Sequence, residues 1–287
     1  MTAAPSASGA LLIVNADDYG LTDAVSQGIL RAHRDGICTS TSVLVLAPAF
    51  AASARLLEDA PGLGVGVHLA LVGEDPPLLS AREIPTLVDR DGRLAISWRR
   101  LLPRIAARRV DPADIERELA AQVAAALQAG LTLDHLDSHQ HVHMFPVVRD
   151  VTLDLAERFQ IRTVRVTRSS SRGPVGIVMR RLAAQLDIQL RGRGLVAPQD
   201  AAGLDEAGRL DTARAVGALD ALALRAAPTV ELSSHPGEAV DADRSRYDWD
   251  YRWGDELAAL CSPAVKAAVA AHGFRLGTYR DLSAGAA

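Results

Sequence analysis

Short apolar runs alternate along the chain with longer stretches whose apolar residues recur every three or four positions, and each run gives way abruptly to a polar cluster. The first run, Leu11-Leu12-Ile13-Val14, ends in Asn15-Ala16-Asp17-Asp18, which predicts a strand buried on both faces whose C-terminal tip carries polar groups. Thr22 is placed to cap a helix through Arg34, and Gly36 to end it in the left-handed conformation that glycine adopts without a Cβ penalty. The order then repeats: residues 41–46 read as a strand, Pro48 opens a helix toward Asp59, and residues 63–71 form a further β-rich run that contains His68. Residues 73–97, richer in Pro, Gly and charge, read as an ordered insertion. Pro112 starts a helix that ends at Gly130, with Ile115, Leu119, Val123 and Leu127 as its core-facing stripe. A strand from Thr132, a helix over 146–159, a strand over 163–166, helices over 177–190 and 212–225, a strand over 229–233 and one helix over 255–272 closed by Gly273 complete the pattern.

Repeated strand-helix units imply an α/β fold with a mainly parallel sheet under a layer of helices. Because polar clusters recur at successive strand tips, a TIM-like (β/α) barrel is favoured over an open sheet. No internal repeat or low-complexity linker interrupts the pattern, so residues 11–282 are expected to form a single domain between a disordered tail at 1–10 and a short tail at 283–287. A chain of 287 residues with 48% hydrophobic content is long enough for one large core. Its formal charge of -4 offers no general attraction to phosphate backbones, so no nucleic-acid partner is expected. Cys38 and Cys261 lie far apart, which excludes a disulfide framework and a thiolate metal site. Neither a secretory leader nor a run of roughly 18 uncharged apolar residues is present, so no membrane span and a cytoplasmic location are expected.

Chemistry concentrates at the strand tips. Of the adjacent carboxylates Asp17 and Asp18, one can bind a cation while its neighbour works as a base; alternatively both cap a helix or shape a turn. His68 sits in an apolar strand, where a hydrogen-bonded core histidine is the plain explanation if it stands alone. The densest signal is the stretch 134–143, with His135, His139, His141 and His143 at odd positions beside Asp137. In a continuous strand they share one face, but at about 3.3 Å per residue His135 and His143 lie roughly 26 Å apart, too far for one metal. Pro146 announces a helix, so the strand tip is expected near Ser138-His139, with His141 and His143 in the following loop. His139 is then the favoured ligand and Asp137 the partner that fixes a ligating imidazole, against the alternative of a solvated His-rich loop. His235 follows another apolar run and is placed to protonate a leaving group or to shape a turn, while Arg165 either orients a carboxylate at the barrel mouth or makes a surface ion pair. Tyr247, Trp249, Tyr251 and Trp253 alternate with charges and either offer apolar ring faces for a ligand to stack on or pack the last helix. The segments 73–97 and 168–194, the second Arg-rich, are candidates for shaping the pocket.

At these residues the sequence resembles the YdjC-like carbohydrate deacetylase family, which includes chitooligosaccharide deacetylases and hopanoid-associated members. The shared stretches are Leu12-Ile13-Val14-Asn15-Ala16-Asp17-Asp18-Tyr19-Gly20, residues 36–41 and 64–68, His135 through Pro146, His235-Pro236 and residues 273–281. The resemblance implies a distorted (β/α) barrel and one divalent metal bound by Asp18, His68 and His139. It further implies Asp17 as the base, His235 as the acid and an N-acetylated sugar as the substrate. Asp137, His141, His143, Arg165, Tyr251 and Trp253 are the candidates for substrate binding or for support of the ligands. Mixed nitrogen and oxygen ligands suit Mg or Zn, with Mn and Co also open. Two His and one carboxylate also make the ligand set of non-haem iron oxygenases, and a non-catalytic sugar- or metal-binding protein is a further alternative. The Asp17-Asp18 pair favours hydrolysis, and a homodimer is an open arrangement.

Overall fold

Strands β1 (Leu11–Tyr19), β2 (Ser40–Val43), β3 (Gly64–Leu69), β4 (His135–Ser138), β5 (Asp200–Ala202), β6 (Thr229–Ser234) and β7 (Arg275–Gly277) pair in parallel. Their order is β4-β3-β2-β1-β6-β5, with β7 beside the first residues of β1. The computed structural model describes residues 9–284. Of the tails expected at 1–10 and 283–287, residues 1–8 and 285–287 lie outside the described residues; the Ala10 carbonyl accepts from the Arg275 amide at 2.9 Å, and residues 283–284 end a short helix.

Beyond β4 the wall is thin. The stretch expected as a strand over 163–166 pairs only through isolated bridges, Leu136 with Val164 and Thr163 with Val196. The Arg165 amide donates to the Leu136 carbonyl at 3.0 Å and the Val164 amide to the Val196 carbonyl at 3.1 Å. These bonds carry the curled sheet round to β5 and β6, giving a distorted (β/α) barrel. Helices α1 (Asp23–Asp35), α2 (Phe50–Ser53), α3 (Trp98–Ala106), α4 (Pro112–Gln128), α5 (Pro146–Arg158), α6 (Pro174–Arg193), α7 (Thr212–Arg225), α8 (Trp253–Cys261), α9 (Pro263–Ala271) and α10 (Arg280–Ala284) accompany it. No described helix is long and apolar enough to cross a membrane.

Local chemistry explains most boundaries. The Thr22 hydroxyl caps α1 by accepting from the Val25 amide at 3.0 Å, as expected of that residue type. Gly36 departs from expectation: its φ of -124° is not left-handed. Glycine is required there because a Cβ would lie 2.5 Å from the Ala32 carbonyl oxygen and 2.7 Å from that of Leu260. The single helix expected over 255–272 is two, since Pro263 has no amide hydrogen and forces Ser262 to ψ 143°, from which its side chain caps α9 at Val265. Two elements are not read in advance: α3, whose interior Pro103 speaks against a helix, and β5, which at three residues is too short to show a period.

Strand alternation sorts the core into two populations. On β1, Leu12, Val14 and Ala16 join the main apolar cluster shared with the helices, whereas Leu11 and Ile13 pack with Tyr279. Above that small plug the side chains facing inward are polar: Asn15, Asp17, Ser42, His68, Asp137, Arg165 and Glu231 are all buried and bonded or ion-paired to one another. The floor of this polar column is tight. His135 stacks on Tyr279 at 3.8 Å between ring centroids, and a Cβ on Gly66 would meet the same imidazole at 2.4 Å. Gly66→Ala is therefore expected to destabilise the fold by about 1–3 kcal/mol through overpacking. Denaturant unfolding measures this, and a variant as stable as the parent would show that the His135 ring moves aside freely.

Candidate metal centre and active site

Adjacent residues of a regular strand point to opposite faces, so Asp17 and Asp18 would not share a site if β1 were regular. It is not: the β1–β2 register shifts between Ala16 and Tyr19, and Asp18 takes a left-handed φ of 69°. Asp tolerates this conformation better than most residues, at a cost on the order of 1–3 kcal/mol. The strand also runs on through Tyr19 instead of stopping at Val14, so both carboxylates sit at the irregularity near its C-terminal end, where the Asp18 carbonyl accepts from the Leu21 amide at 3.0 Å.

The irregularity brings the Asp18 carboxylate to the histidines. Asp18 Oδ1 lies 3.4 Å from His68 Nε2 and 3.4 Å from His139 Nδ1, and all three residues are buried. These three ligand atoms lie within 4.8 Å of one another, and Asp18 Oδ1 has no hydrogen-bond partner among the described residues. A buried carboxylate oxygen without a donor is costly. A cation at the centre of the three atoms removes that cost, so the residues fit a divalent metal. The local field agrees: burial alone would depress His68, yet the carboxylates of Asp137, Asp17 and Asp18 raise its pKa to about 9. Asp137 Oδ1 fixes the His68 ring at Nδ1, 2.9 Å away, and leaves Nε2 aimed at the centre. Asp137 thus supports His68, not its near neighbour His139. A second grouping, Asp17 with His68 and Asp137, also has ligand spacing, but there the Arg165 guanidinium already occupies the cation's place.

For Arg165 the two readings were a group that orients a carboxylate at the barrel mouth and a surface ion pair; the side chain is fully buried at the centre of the barrel, which rules out the second. It grips Asp17 with two bonds of 2.7 Å, reaches Asp137 at 2.6 Å through Nη1, and places Nε 2.7 Å from Glu231. Burial would raise the Asp17 pKa, but Arg165, with His68 and His235, holds it well below the ordinary carboxylate value. Asn15 Nδ2 adds a bond of 2.8 Å to Asp17 Oδ1, and the Ser42 hydroxyl donates to Asp137 at 2.8 Å. Asp17 is thereby fixed and ionised.

Across the mouth, His235 at the end of β6 places Nε2 3.8 Å from Asp17 Oδ2 and Nδ1 3.8 Å from Glu256. Its ring abuts Tyr251 at 4.9 Å, while Trp249 lies 5.0 Å from His139. The aromatic segment therefore divides its work. Tyr247 and Trp253 are buried, Trp253 beneath the Arg244 guanidinium, so Trp253 is a packing residue and offers no face to a ligand. Trp249 and Tyr251 are half-buried at the mouth, and the Trp249 indole donates to Glu74 of the 73–97 segment at 2.9 Å.

The histidine tract turns as soon as β4 ends, with Gln140 and His141 at φ 52° and 55°. Only His139 joins the ligand group. His143 is structural: its Nε2 donates to the Arg165 carbonyl at 3.0 Å and its Nδ1 pairs with the Ser138 hydroxyl at 2.6 Å, while burial brings its pKa down to about 4. His141 meets Thr167 at 3.2 Å and is pushed down to about 3 by burial and then by Arg165. It borders a cavity of about 430 Å³ whose walls include Trp98, Phe145, Val178 and Met179, so the 168–194 segment lines a cavity beside His141. Glu231 and Glu256 escaped the sequence reading. Both are fully buried, and burial raises both pKa values. A glutamate inside the apolar strand over 229–233 was the available signal for the first, whereas Glu256 looks like any acidic residue in a first helical turn.

A family profile described as YdjC-like protein matches residues 11–271. The chain belongs to the YdjC-like family. A carbohydrate deacetylase of Geobacillus stearothermophilus is 34% identical over 94% of this chain and 96% of its own length. A chitooligosaccharide deacetylase of Proteus mirabilis is 32% identical over 95% and 98%. A solved structure from Enterococcus faecalis V583, titled as a candidate cellobiose-phosphate cleavage protein, superposes with a TM-score of 0.80 at 28% identity, covering 96% of this chain and 99% of the other. This YdjC-like chain thus shares its barrel with a solved relative along nearly its whole length.

Proposed function

We propose that this YdjC-like chain is a metal-dependent carbohydrate N-deacetylase that hydrolyses the acetamide of an N-acetylated sugar. The observation that carries the reading is the unpartnered Asp18 Oδ1 facing two imidazole nitrogens, with a second, ionised carboxylate on the adjacent residue. The names of the full-length relatives support the same chemistry. Asp18, His68 and His139 would hold one divalent ion, with Mg, Zn, Mn or Co all compatible with the donors. Such an ion supplies Lewis acidity toward the acetyl carbonyl and the attacking water.

The chain's own residues perform the proton transfers. Asp17 takes the proton of the water as its oxygen bonds to the acetyl carbon. Because Arg165 lowers its basicity, Asp17 is always ready as a base but needs an acidified water to act on. His235 then delivers a proton to the amide nitrogen as the carbon–nitrogen bond breaks, and acetate and a free amine leave. Trp249 and Tyr251 present partly exposed rings beside His139 and His235, where the face of a sugar ring can stack. A base and an acid flanking the ligand group suit hydrolysis; an oxygenase has no use for the pair.

Stripping the protein with a chelator, reloading it with one divalent ion and following acetate release from a panel of N-acetylated sugars tests this reading. Acetate is expected only from the reloaded protein, without any need for oxygen or a reductant. Silence across the panel, or turnover that demands oxygen, ends the reading.

A further inference from the structure

Glu256 is a fully buried carboxylate with no apolar reason to be where it is. It sits in the first turn of α8 and reaches across to the loop that follows β6. Its Oε2 accepts from the His235 backbone amide at 2.6 Å and its Oε1 from the Leu210 amide at 3.2 Å. The same Oε2 faces His235 Nδ1 at 3.8 Å, and that nitrogen has no hydrogen-bond partner among the described residues although it is buried. On the opposite edge of the ring Nε2 faces Asp17, and Tyr251 closes one side. Among the described residues the imidazole thus has Glu256, Asp17 and Tyr251 against it and Asp18 in its field, and of these Glu256 addresses Nδ1.

We propose that Glu256 is the positioning residue for His235, fixing the backbone of its loop and holding a proton on Nδ1, so that the doubly protonated ring presents its Nε2–H to the leaving amine and keeps the Nδ1 proton after giving that one up. The proposal rests on the deacetylase reading above, in which His235 is the acid. A gap of 3.8 Å is longer than a hydrogen bond, but such bonds at catalytic groups commonly tighten when substrate is held. A side chain that orients a catalytic imidazole through its far nitrogen sets both tautomer and direction. An amide nitrogen leaves only when protonated, whereas 4-nitrophenolate leaves without a proton. The demand on the Glu256–His235 pair should therefore differ between the two kinds of substrate.

The test compares acetate release from an N-acetylated sugar with hydrolysis of 4-nitrophenyl acetate in the metal-loaded parent, His235→Gln, Glu256→Gln and Glu256→Asp. Glu256→Gln is expected to lower the amide-to-ester ratio by about 10–100-fold, in kcat and not in KM. Glu256→Asp, which keeps the charge on a shorter arm, should recover part of the loss. If His235→Gln leaves the ratio unchanged, the assignment of the acid fails; if His235→Gln lowers it and Glu256→Gln does not, the positioning role fails. A measurement without turnover decides the second point independently. The ¹⁵N signals of the His235 ring, recorded in parent and Glu256→Gln, should shift at Nδ1, and unchanged ring signals overturn the proposal whatever the activity.

Discussion

Replacing Asp17 by Asn is expected to lower acetate release by about 10²–10⁴-fold, the range lost with a general base, while the protein still binds one divalent ion. The expectation follows from how separately the two neighbouring carboxylates are employed. Asp18 faces His68 and His139; Asp17 faces Arg165, Asn15 and, at 3.8 Å, His235. Asn preserves the volume of Asp17 and can still accept from the guanidinium, and Arg165 keeps Asp137 and Glu231 as charged partners. The substitution therefore removes the proton acceptor without emptying the centre. Steady-state kinetics beside a metal titration reads both halves. A variant within tenfold of the parent would mean that the proton goes elsewhere, and loss of the ion would mean that the carboxylates share the metal.

Arg165→Met should be the most damaging single change to stability, at about 3–5 kcal/mol, the cost of stranding charges after one member of a buried ion network is removed. Asp17, Asp137 and Glu231 would then lie together in the barrel without the guanidinium that contacts all three. The pH dependence has a definite sign. In the parent, Asp17 and Asp137 have lowered pKa values, although burial opposes the shift, so their contribution is present above the unfolded carboxylate range and is lost as pH falls from there through the lowered folded values. Without Arg165, burial and mutual repulsion raise these values in the folded protein, which then binds more protons than the unfolded chain and is stabilised by acid. The stability gap between the metal-free parent and variant should be widest near neutral pH and narrow toward about pH 4. Denaturant unfolding at several pH values measures it, and a constant gap would show that the loss is one of packing alone. Arg165→Lys is expected to rescue poorly, because a point charge cannot make the forked contacts to Asp17 while reaching Glu231.

These two residues also show where reading the chain succeeded and where it stopped. Asp17, Asp18, His68 and His139 were visible because each is a polar interruption at or near the end of an apolar run, and such interruptions in a parallel sheet collect at one mouth. The strand tip near Ser138-His139 was expected from arithmetic on strand length together with Pro146, and β4 ends at Ser138 with the chain turning at Gln140 and His141. Arg165 was noticed, but the choice between orienting a carboxylate and making a surface ion pair stayed open, since a lone arginine carries no local mark of being buried. Glu256 was invisible: nothing about an acidic residue in a first helical turn announces that it spans to a loop twenty-one positions earlier. Trp253 and Tyr251 look alike in sequence, yet only one reaches the mouth.

By itself the amino-acid sequence determined the alternation of strands and helices, the parallel barrel that follows from it, and which strand tips carry titratable groups, because periodicity and capping are local properties of the chain. Only the tertiary structure decided which charges meet. The bulge that turns Asp18 toward two histidines, the guanidinium that joins carboxylates from three strands, and the glutamate behind His235 all depend on register and distance between segments remote in sequence. Electrostatic and metal-binding behaviour is set by those distances, which change over a few ångströms and leave no periodic trace along the chain.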